Sequence, residues 1–296
     1  MTTFFVLLRR NVKLFFKDKG MFFTALITPL ILLVLYATFL SNVYRDSFLS
    51  GLPEQITVDP ALIDALVCGQ LISSLMAVSA VTVAFCANFL MVQDKANGTI
   101  QDLRISPVKS WKISVSYYGA TLFSSLLICL IATGLCFAYV GTAGWYLSAA
   151  DTVCFVLDVV LLVLFGTALS SVINFFLSTQ GQISAVGTIV SAGYGFICGA
   201  YMPISSFGEG LQKAVSFLPG TYGTSLMRNH ALGGVLAEME RQGLPDQVVD
   251  SIESLLDCNV YFFGEPVSEP MMYLILAGSG MLLLGIYILL NAMKKK

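Results

Sequence analysis

Long, nearly uncharged apolar stretches constrain the fold of this chain more than any other feature of its sequence. Six of them are long enough to cross a bilayer, which takes about 20 apolar residues in a helix. They cover residues 21–43, 61–92, 113–140, 152–177, 183–202 and 271–292. Hydrophobic residues make up 56% of the chain and charged residues 11%, against about 25% charged in soluble domains. The sequence therefore predicts an all-α integral membrane protein with six transmembrane helices.

The distribution of lysine and arginine predicts which side of the membrane each loop faces, because basic residues resist translocation. Twelve of the sixteen lie in the N-terminus, in residues 93–112 and in the tail at Lys294, Lys295 and Lys296. The other four lie in the loops of the opposite side. We therefore expect both termini to be cytoplasmic.

Residues 1–20 precede the first apolar stretch and have the pattern of an amphipathic helix. At 100° per residue, one side carries Phe4, Phe5, Leu8, Val12, Phe15 and Phe16, and the opposing arc carries Arg9, Arg10, Lys13 and Lys17. Such a helix lies in the membrane interface, with its cations at the lipid head groups. We interpret residues 1–20 as a cytoplasmic interfacial elbow helix and residues 21–296 as the six-span domain.

The polar loop at residues 93–112 is the strongest candidate for contact with a soluble partner. Asn97 and Gly98 favour a turn, and Thr99 is a suitable cap for a short helix that Pro107 would end. Ile100, Leu103 and Ile105 would give this helix an apolar ridge. A rigid helix across the ends of two spans would transmit displacement from a soluble motor. The alternative is a connecting loop with no further role.

Residues 203–270, between the fifth and sixth stretches, are expected to form an outer segment that re-enters the membrane and a cap outside it. Apolar residues recur every three or four positions over residues 204–218, which predicts an amphipathic helix that Pro219 and Gly220 stop. Residues 229–269 are acidic and have helical patterns near residues 236–239 and 248–256.

Asp158 is the clearly intramembrane carboxylate of the predicted spans. A charge at mid-span costs about 2.5 to 3.5 kcal/mol, so this group should face protein or water or be protonated. One hypothesis places Asp158 at the outer mouth of a substrate pathway. The other is a structural hydrogen bond to a neighbouring helix.

The sequence offers no catalytic site and no metal site. It contains no G-x-x-x-x-G-K-[ST] phosphate loop, and its one histidine, His230, lies in the outer segment. Few ionisable groups lie in the spans, which argues against proton or sodium coupling. We therefore expect a protein that is neither an enzyme nor its own ATP-driven motor, and that has no nucleic-acid partner.

Two stretches together resemble the type-II ATP-binding-cassette (ABC) exporter permeases. The first resembles the family's coupling loop between spans two and three, and the second its re-entrant outer segment after span five. The coupling-loop residues are Asn97, Gly98, Thr99, Ile100, Leu103, Ser106 and Pro107, and the outer residues are Gly199, Pro203, Leu218, Pro219, Thr221 and Tyr222. The chain departs from the pattern at Ala96 and Gln101, where the family often has glutamates. Asp94 or Asp102 would then supply the carboxylate toward the motor.

The resemblance implies a permease subunit in a bacterial plasma membrane, without a cofactor of its own. It would pair with a second permease subunit and bind separately encoded ATPase subunits that carry ATP and Mg. It would export a lipophilic or amphipathic substrate such as a drug, lipid or lipopeptide. The alternatives are a glycan-exporting permease of the same family, an ATP-independent transporter or channel, and a membrane scaffold.

Overall fold

The computed structural model describes residues 2–51 and 58–293, in which the chain forms twelve α-helices and one two-stranded sheet. The tail lysines Lys294, Lys295 and Lys296 lie outside the described residues. In chain order the helices are α1 (Thr2–Lys17), α2 (Lys19–Leu35), α3 (Ser41–Gly51), α4 (Pro60–Ala96), α5 (Thr99–Ile105), α6 (Ser110–Ala143), α7 (Ala149–Phe176), α8 (Gln180–Ile197), α9 (Glu209–Val215), α10 (Pro219–Arg241), α11 (Asp246–Leu255) and α12 (Glu269–Met293). A π-helical segment, Tyr36–Leu40, joins α2 to α3.

Four helices of the described chain, α4, α6, α7 and α12, are long and apolar enough to cross a membrane. The pair α1 and α2 meets at 74° and adds a fifth span if the pair is counted as one. Helix α8 covers most of the predicted fifth span but does not meet the same criterion. The all-α, multi-pass membrane fold is confirmed, whereas the count of six spans is not.

Helix α1 is a separate element that packs along α6 and then turns sharply into α2. Asp18 makes the turn: its side chain accepts a hydrogen bond of 3.1 Å from the Met21 N–H and caps α2. Leu7, Asn11 and Phe15 form the buried stripe of α1, at spacings of four residues. The chain therefore begins with a separate helix and a bend, while the predicted apolar face only partly coincides with the buried stripe, since Phe15 is buried and Phe5 is 60% exposed. We call the side of the protein that carries α1 and α5 the basic side, and the opposite side the cap side.

Helix α4 is the centre of the bundle, and it contacts α2, α6, α7, α8 and α10. It is 37 residues long, or about 55 Å at 1.5 Å per residue, so it extends beyond the bilayer core. Small residues let its neighbours approach closely. A Cβ on Gly69 would come within 2.8 Å of the Ala231 carbonyl oxygen on α10, and one on Gly166 of α7 within 3.0 Å of the Val81 Cα.

The prediction that Pro219 and Gly220 stop a helix over residues 204–218 is wrong. The structure has a 3₁₀ turn at Ile204–Ser206 and the short helix α9, and Pro219 is the first residue of α10. Proline fits a first helical position because the N–H groups there have no acceptor within the helix. The proline therefore separates two helices by starting the second one.

The cap side is completed by α11 and a β-hairpin. The predicted helical patterns at residues 236–239 and 248–256 fall in α10 and α11. Strands β1 (Tyr261–Phe262) and β2 (Glu265–Pro266) pair antiparallel just before α12. The hairpin thus lies directly at the cap-side end of the last span.

Polar side chains between α4, α6 and α7 hydrogen-bond across the helix interfaces. The Asn88 amide donates to the hydroxyls of Ser170 at 3.1 Å and Ser171 at 3.0 Å, and its oxygen accepts from Thr121 at 3.4 Å. Asn88 is buried, so water does not compete for these bonds. These bonds therefore hold α4 against both α6 and α7.

We predict that Asn88→Ala lowers the stability of the folded bundle by about 1 kcal/mol, because interhelical hydrogen bonds in membranes contribute on this order. Unfolding in mixed micelles of increasing SDS content measures the loss. Thr142→Ala removes an exposed hydroxyl that donates to the Tyr139 carbonyl within α6, and it should leave stability unchanged. Equal stability of Asn88→Ala and wild type would contradict the prediction.

Candidate functional site

The loop between α4 and α6 contains the predicted coupling residues, and it folds as a helix held by a tight turn. Asn97 is the C-terminal cap of α4, and Gly98 adopts φ +80°, a left-handed conformation that favours glycine. Gly98 is also the N-cap residue of α5, and Thr99, the predicted cap, is its first helical residue. Gly98 therefore sets the angle between α4 and α5.

Helix α5 has one side on the bundle and one side open. Ile100 is buried, and Leu103 is partly buried. Ile105 is 85% exposed, and Asp102 is also exposed. The Ser106 hydroxyl donates to the Leu103 carbonyl at 2.6 Å and ends the helix just before the exposed Pro107. The apolar ridge predicted for α5 is thus divided, because Ile100 packs inward and Ile105 points outward.

Asp94, the predicted carboxylate toward a motor, is buried and turned toward the interior. The Arg10 guanidinium lies 2.6 Å from its Oδ2, and the Tyr117 hydroxyl donates to the same oxygen at 2.5 Å. This cluster joins α1, α4 and α6 on the basic side. Among the two candidate carboxylates, the exposed one is therefore Asp102.

The next residue, Lys95, ties the end of α7 to the same place. Its Nζ donates to the carbonyls of Asn174 at 2.8 Å, Phe175 at 2.7 Å and Leu177 at 3.0 Å. The last carbonyls of a helix lack intrahelical donors and carry partial negative charge, so an ammonium group there is stabilising. Through Asp94 and Lys95, the segment that leads into α5 is bonded to α1, α6 and α7.

On the cap side, the predicted outer residues are brought together around the start of α10. Gly199 adopts φ +74° after α8, and Pro203 precedes the 3₁₀ turn. Thr221 and Tyr222 of α10 donate back to the carbonyls of Val215 and Ser216, at 3.1 and 2.5 Å. Leu218 and Pro219 make the connection between α9 and α10. These bonds fix α9 against α10.

A buried ion pair links this segment to the rest of the cap. Arg228 is 1% exposed, and its Nη1 lies 3.4 Å from Asp257 Oδ2. The guanidinium also donates to the Gly199 carbonyl. Asp257 accepts from the backbone N–H groups of Ile204 and Ser205. One charge pair therefore joins the end of α8, the 3₁₀ turn, α10 and the residues after α11.

Asp158 is fully buried where α7 meets α10 and α12, and both of its oxygens have partners. His230 Nδ1 lies 2.6 Å from Oδ2, and the Tyr273 hydroxyl donates to Oδ1 at 2.8 Å. The arrangement favours the structural hypothesis for Asp158, because its oxygens already bond two neighbouring helices. His230, expected outside the membrane region, instead reaches an intramembrane carboxylate through α10.

A cavity of about 420 Å³ opens on the cap side between α9 and the segment that follows α11. Its polar walls come from α9, Ser254 and Asn259, and its aromatic wall from Tyr261 and Phe263. Asp257, the acid of the buried pair, also lines it. The ion pair therefore holds together two of the walls of a cavity that is large enough for a small ligand.

Sequence reasoning missed the residues that organise both sites, namely Arg10, Arg228, His230 and Asp257. A signal was present for two of them. Arg228 follows Leu226 and Met227, and Asp257 lies between Leu256 and Cys258, so each is a charge next to a short apolar run. Charged residues beside such runs are buried only when they are paired. The sequence does not show which charged residues form ion pairs with each other.

These observations define the class of the protein: a multi-pass helical membrane protein with a short helix exposed on one side and a folded cap on the other. The profile of the ABC-2 type transporter family matches residues 2–231. The chain belongs to this family, whose membrane subunits are transport components that work with an ATPase partner. No curated protein matches the chain. The family match ends within α10, before the rest of the cap and α12.

We predict that Asp257→Asn destabilises the cap, because it leaves the buried Arg228 charge without its partner. Loss of one member of a buried ion pair costs about 3 to 5 kcal/mol. Thermal unfolding and limited proteolysis within residues 241–260 measure the effect. Glu238→Gln is the matched control, since Glu238 pairs with the exposed Arg241 on α10 and surface pairs contribute little. Equal protease resistance of the two variants would disprove this role for the buried pair.

The His230–Asp158 pair predicts a pH dependence of stability. Burial lowers the pKa of His230, but the hydrogen bond and charge of Asp158, with the charges of Glu269 and Asp151, raise it above the ordinary value. A pKa raised on folding gives a contribution that is complete below the unfolded pKa, about 6.5. It is lost as the pH rises through the folded pKa.

The thermal midpoint of the wild type should therefore fall as the pH rises from about 6 to 9. His230→Gln keeps a polar side chain but does not titrate, so its midpoint should fall less over the same range. Melting curves of the two purified proteins, recorded in one detergent, measure the difference. Parallel pH profiles would show that the pair does not supply this stability.

Proposed function

We propose that this chain is the permease subunit of an ATP-driven exporter in a bacterial plasma membrane, with the basic side in the cytoplasm. It would pair with a second permease subunit and bind two separately encoded ATPase subunits, on which ATP and Mg act. The substrate would be a lipophilic or amphipathic molecule such as a drug, lipid or lipopeptide. Family membership supports the transport role and the ATPase partner.

The observation that carries the proposal is the position of α5. Its exposed residue Ile105 is available to a partner, while its other side packs on α4 through Ile100. The adjoining residues Asp94 and Lys95 bond α1, α6 and α7. A displacement of α5 would therefore move several helices together, because no flexible linker separates the partner-facing helix from the bundle.

The exit would lie on the cap side, where α9 and the start of α10 are joined by hydrogen bonds. Motion transmitted along α4 reaches this region directly, because Gly69 of α4 packs on the Ala231 backbone of α10. In the proposed cycle, closure of the ATPase pair moves the two copies of α5 and opens a path between the permease subunits. The Asp158 network would then hold α7, α10 and α12 together as one moving unit.

We predict that Ile105→Asp abolishes co-purification of the ATPase subunit that the proposal requires, expressed together with this chain, while the permease stays folded. The substitution places a charge on the exposed residue of α5 that would contact the partner. Leu255→Asp is the matched control, because Leu255 is 57% exposed but lies in α11 on the cap side. Affinity purification in mild detergent, followed by mass spectrometry, measures the association.

Gly98→Pro tests the geometry of the turn separately, because proline cannot adopt a positive φ. It should also release the ATPase, through misplacement of α5. Retention of the ATPase by both Ile105→Asp and Gly98→Pro would refute the proposed contact. If folded wild-type protein co-purifies with no protein that contains a phosphate loop, the proposed exporter function is refuted.

A further inference from the structure

The cap-side cavity is lined by both polar and apolar residues and carries charges of both signs. Glu209 and Lys213 of α9 line it, with their charged groups 3.9 Å apart. Their side chains are 91% and 58% exposed, and such exposed pairs are held only weakly by each other. Each charge is therefore free to exchange its partner for an opposite charge on a ligand. Asp257, in contrast, is already bonded to Arg228 and to the backbone.

An exposed aromatic cluster adjoins the cavity. The rings of Phe217, Phe262 and Phe263 contact one another edge to face, with centroids 4.9 to 5.8 Å apart. Phe217 and Phe263 are 62% and 63% exposed. Phe263 also lines the cavity, so the cavity opens directly onto the aromatic cluster. A contiguous exposed apolar patch of this kind marks a surface that binds membrane, protein or ligand.

The hairpin holds this cluster close to the cap-side end of α12, a helix that is long and apolar enough to span a membrane. Strand β2 ends at Pro266, three residues before α12 begins at Glu269. Met271 and Leu274, in the first turns of α12, are exposed apolar residues that continue the apolar surface into the membrane. Aromatic rings are favoured near the ends of membrane spans, where apolar and polar surroundings meet.

We propose that this cavity binds the polar head of a zwitterionic amphipathic molecule, and that the apolar part of the molecule lies on the Phe217–Phe262–Phe263 cluster. Lys213 would meet the anionic group of the head and Glu209 its cationic group. The hydroxyl of Ser254 and the amide of Asn259 add hydrogen-bonding capacity to the interior. A fully apolar molecule would leave these groups without partners, and a fully polar one would leave the aromatic cluster in water.

This inference deepens the proposed function, because it specifies the class of molecule met at the exit. It does not depend on the ATPase, since binding at the cavity is measured on the permease alone. A chain that binds the amphipath but brings down no ATPase would refute the exporter and keep the site. A chain that co-purifies with the ATPase but does not bind the amphipathic molecule would refute the site and leave the exporter function intact.

The test uses the full chain in phosphatidylglycerol nanodiscs, whose lipids lack the zwitterionic head, with a tryptophan at the cavity as reporter. Trp111 and Trp145 are the two tryptophans of the sequence, so Trp111→Phe, Trp145→Phe and Phe263→Trp together leave one reporter. Lysophosphatidylcholine with a brominated chain is the probe. We expect saturable quenching that unbrominated lysophosphatidylcholine reverses. The same background with Leu274→Trp, on the exposed surface of α12, should show quenching that rises linearly with the probe.

Two substitutions assign the quenching to the cavity. Ser254→Phe fills it from an exposed position on α11 and should abolish saturation, whereas Gln247→Phe, exposed two turns earlier on α11, should not. Lys213→Gln should weaken binding by up to about fivefold, the range expected for one exposed charge contact. Linear quenching at position 263 that Ser254→Phe leaves unchanged would overturn the site. Equal competition by lysophosphatidylglycerol, which lacks the cationic group, would overturn the zwitterionic head.

Discussion

The hydrocarbon layer offers no hydrogen-bond partner, and the arrangement of this bundle follows from that constraint. Three buried or half-buried polar groups bond to another element of the chain: Asn88 to two serines of α7, Lys95 to the last carbonyls of α7, and Asp158 to His230 and Tyr273. Because these bonds join different helices, they specify neighbours as well as stability. The apolar surface that surrounds them is non-directional and would tolerate several arrangements.

The two ends of the bundle are connected through α4. At its basic-side end, Asp94 and Lys95 bond the neighbouring helices and lead into α5. Farther along, Gly69 packs directly on the backbone of α10, which carries Arg228 and His230. A helix packed on nearly all sides by close neighbours moves as a rigid element, since densely packed interiors are not continuously deformable. A push on α5 would thus reach the cap without any flexible step.

The sequence predicted the elements better than their pairing. Apolar length predicted the membrane helices, and Asn97, Gly98 and Pro107 predicted the short helix between α4 and α6, because chain geometry and local propensity decide these features. Pro219 was misinterpreted, since proline stops one helix and starts another with equal ease. Asp94 was predicted, as an alternative to Asp102, to face a partner, but it is buried and bonds Arg10, 84 positions earlier. Such contacts depend on tertiary packing, which local sequence patterns do not contain.

The largest part of the cap lies beyond residues 2–231, which match the ABC-2 type transporter family. The membrane core carries the interactions that any coupled bundle needs: close glycine packing, internal hydrogen bonds and an exposed short helix. The cap adds a cavity that the Arg228–Asp257 pair holds in shape, and an exposed aromatic cluster close to the start of α12. A segment with these properties is suited to discriminate among amphipathic molecules, since it meets both of their parts at once. Selectivity is therefore expected from the cap, and force transmission from the core.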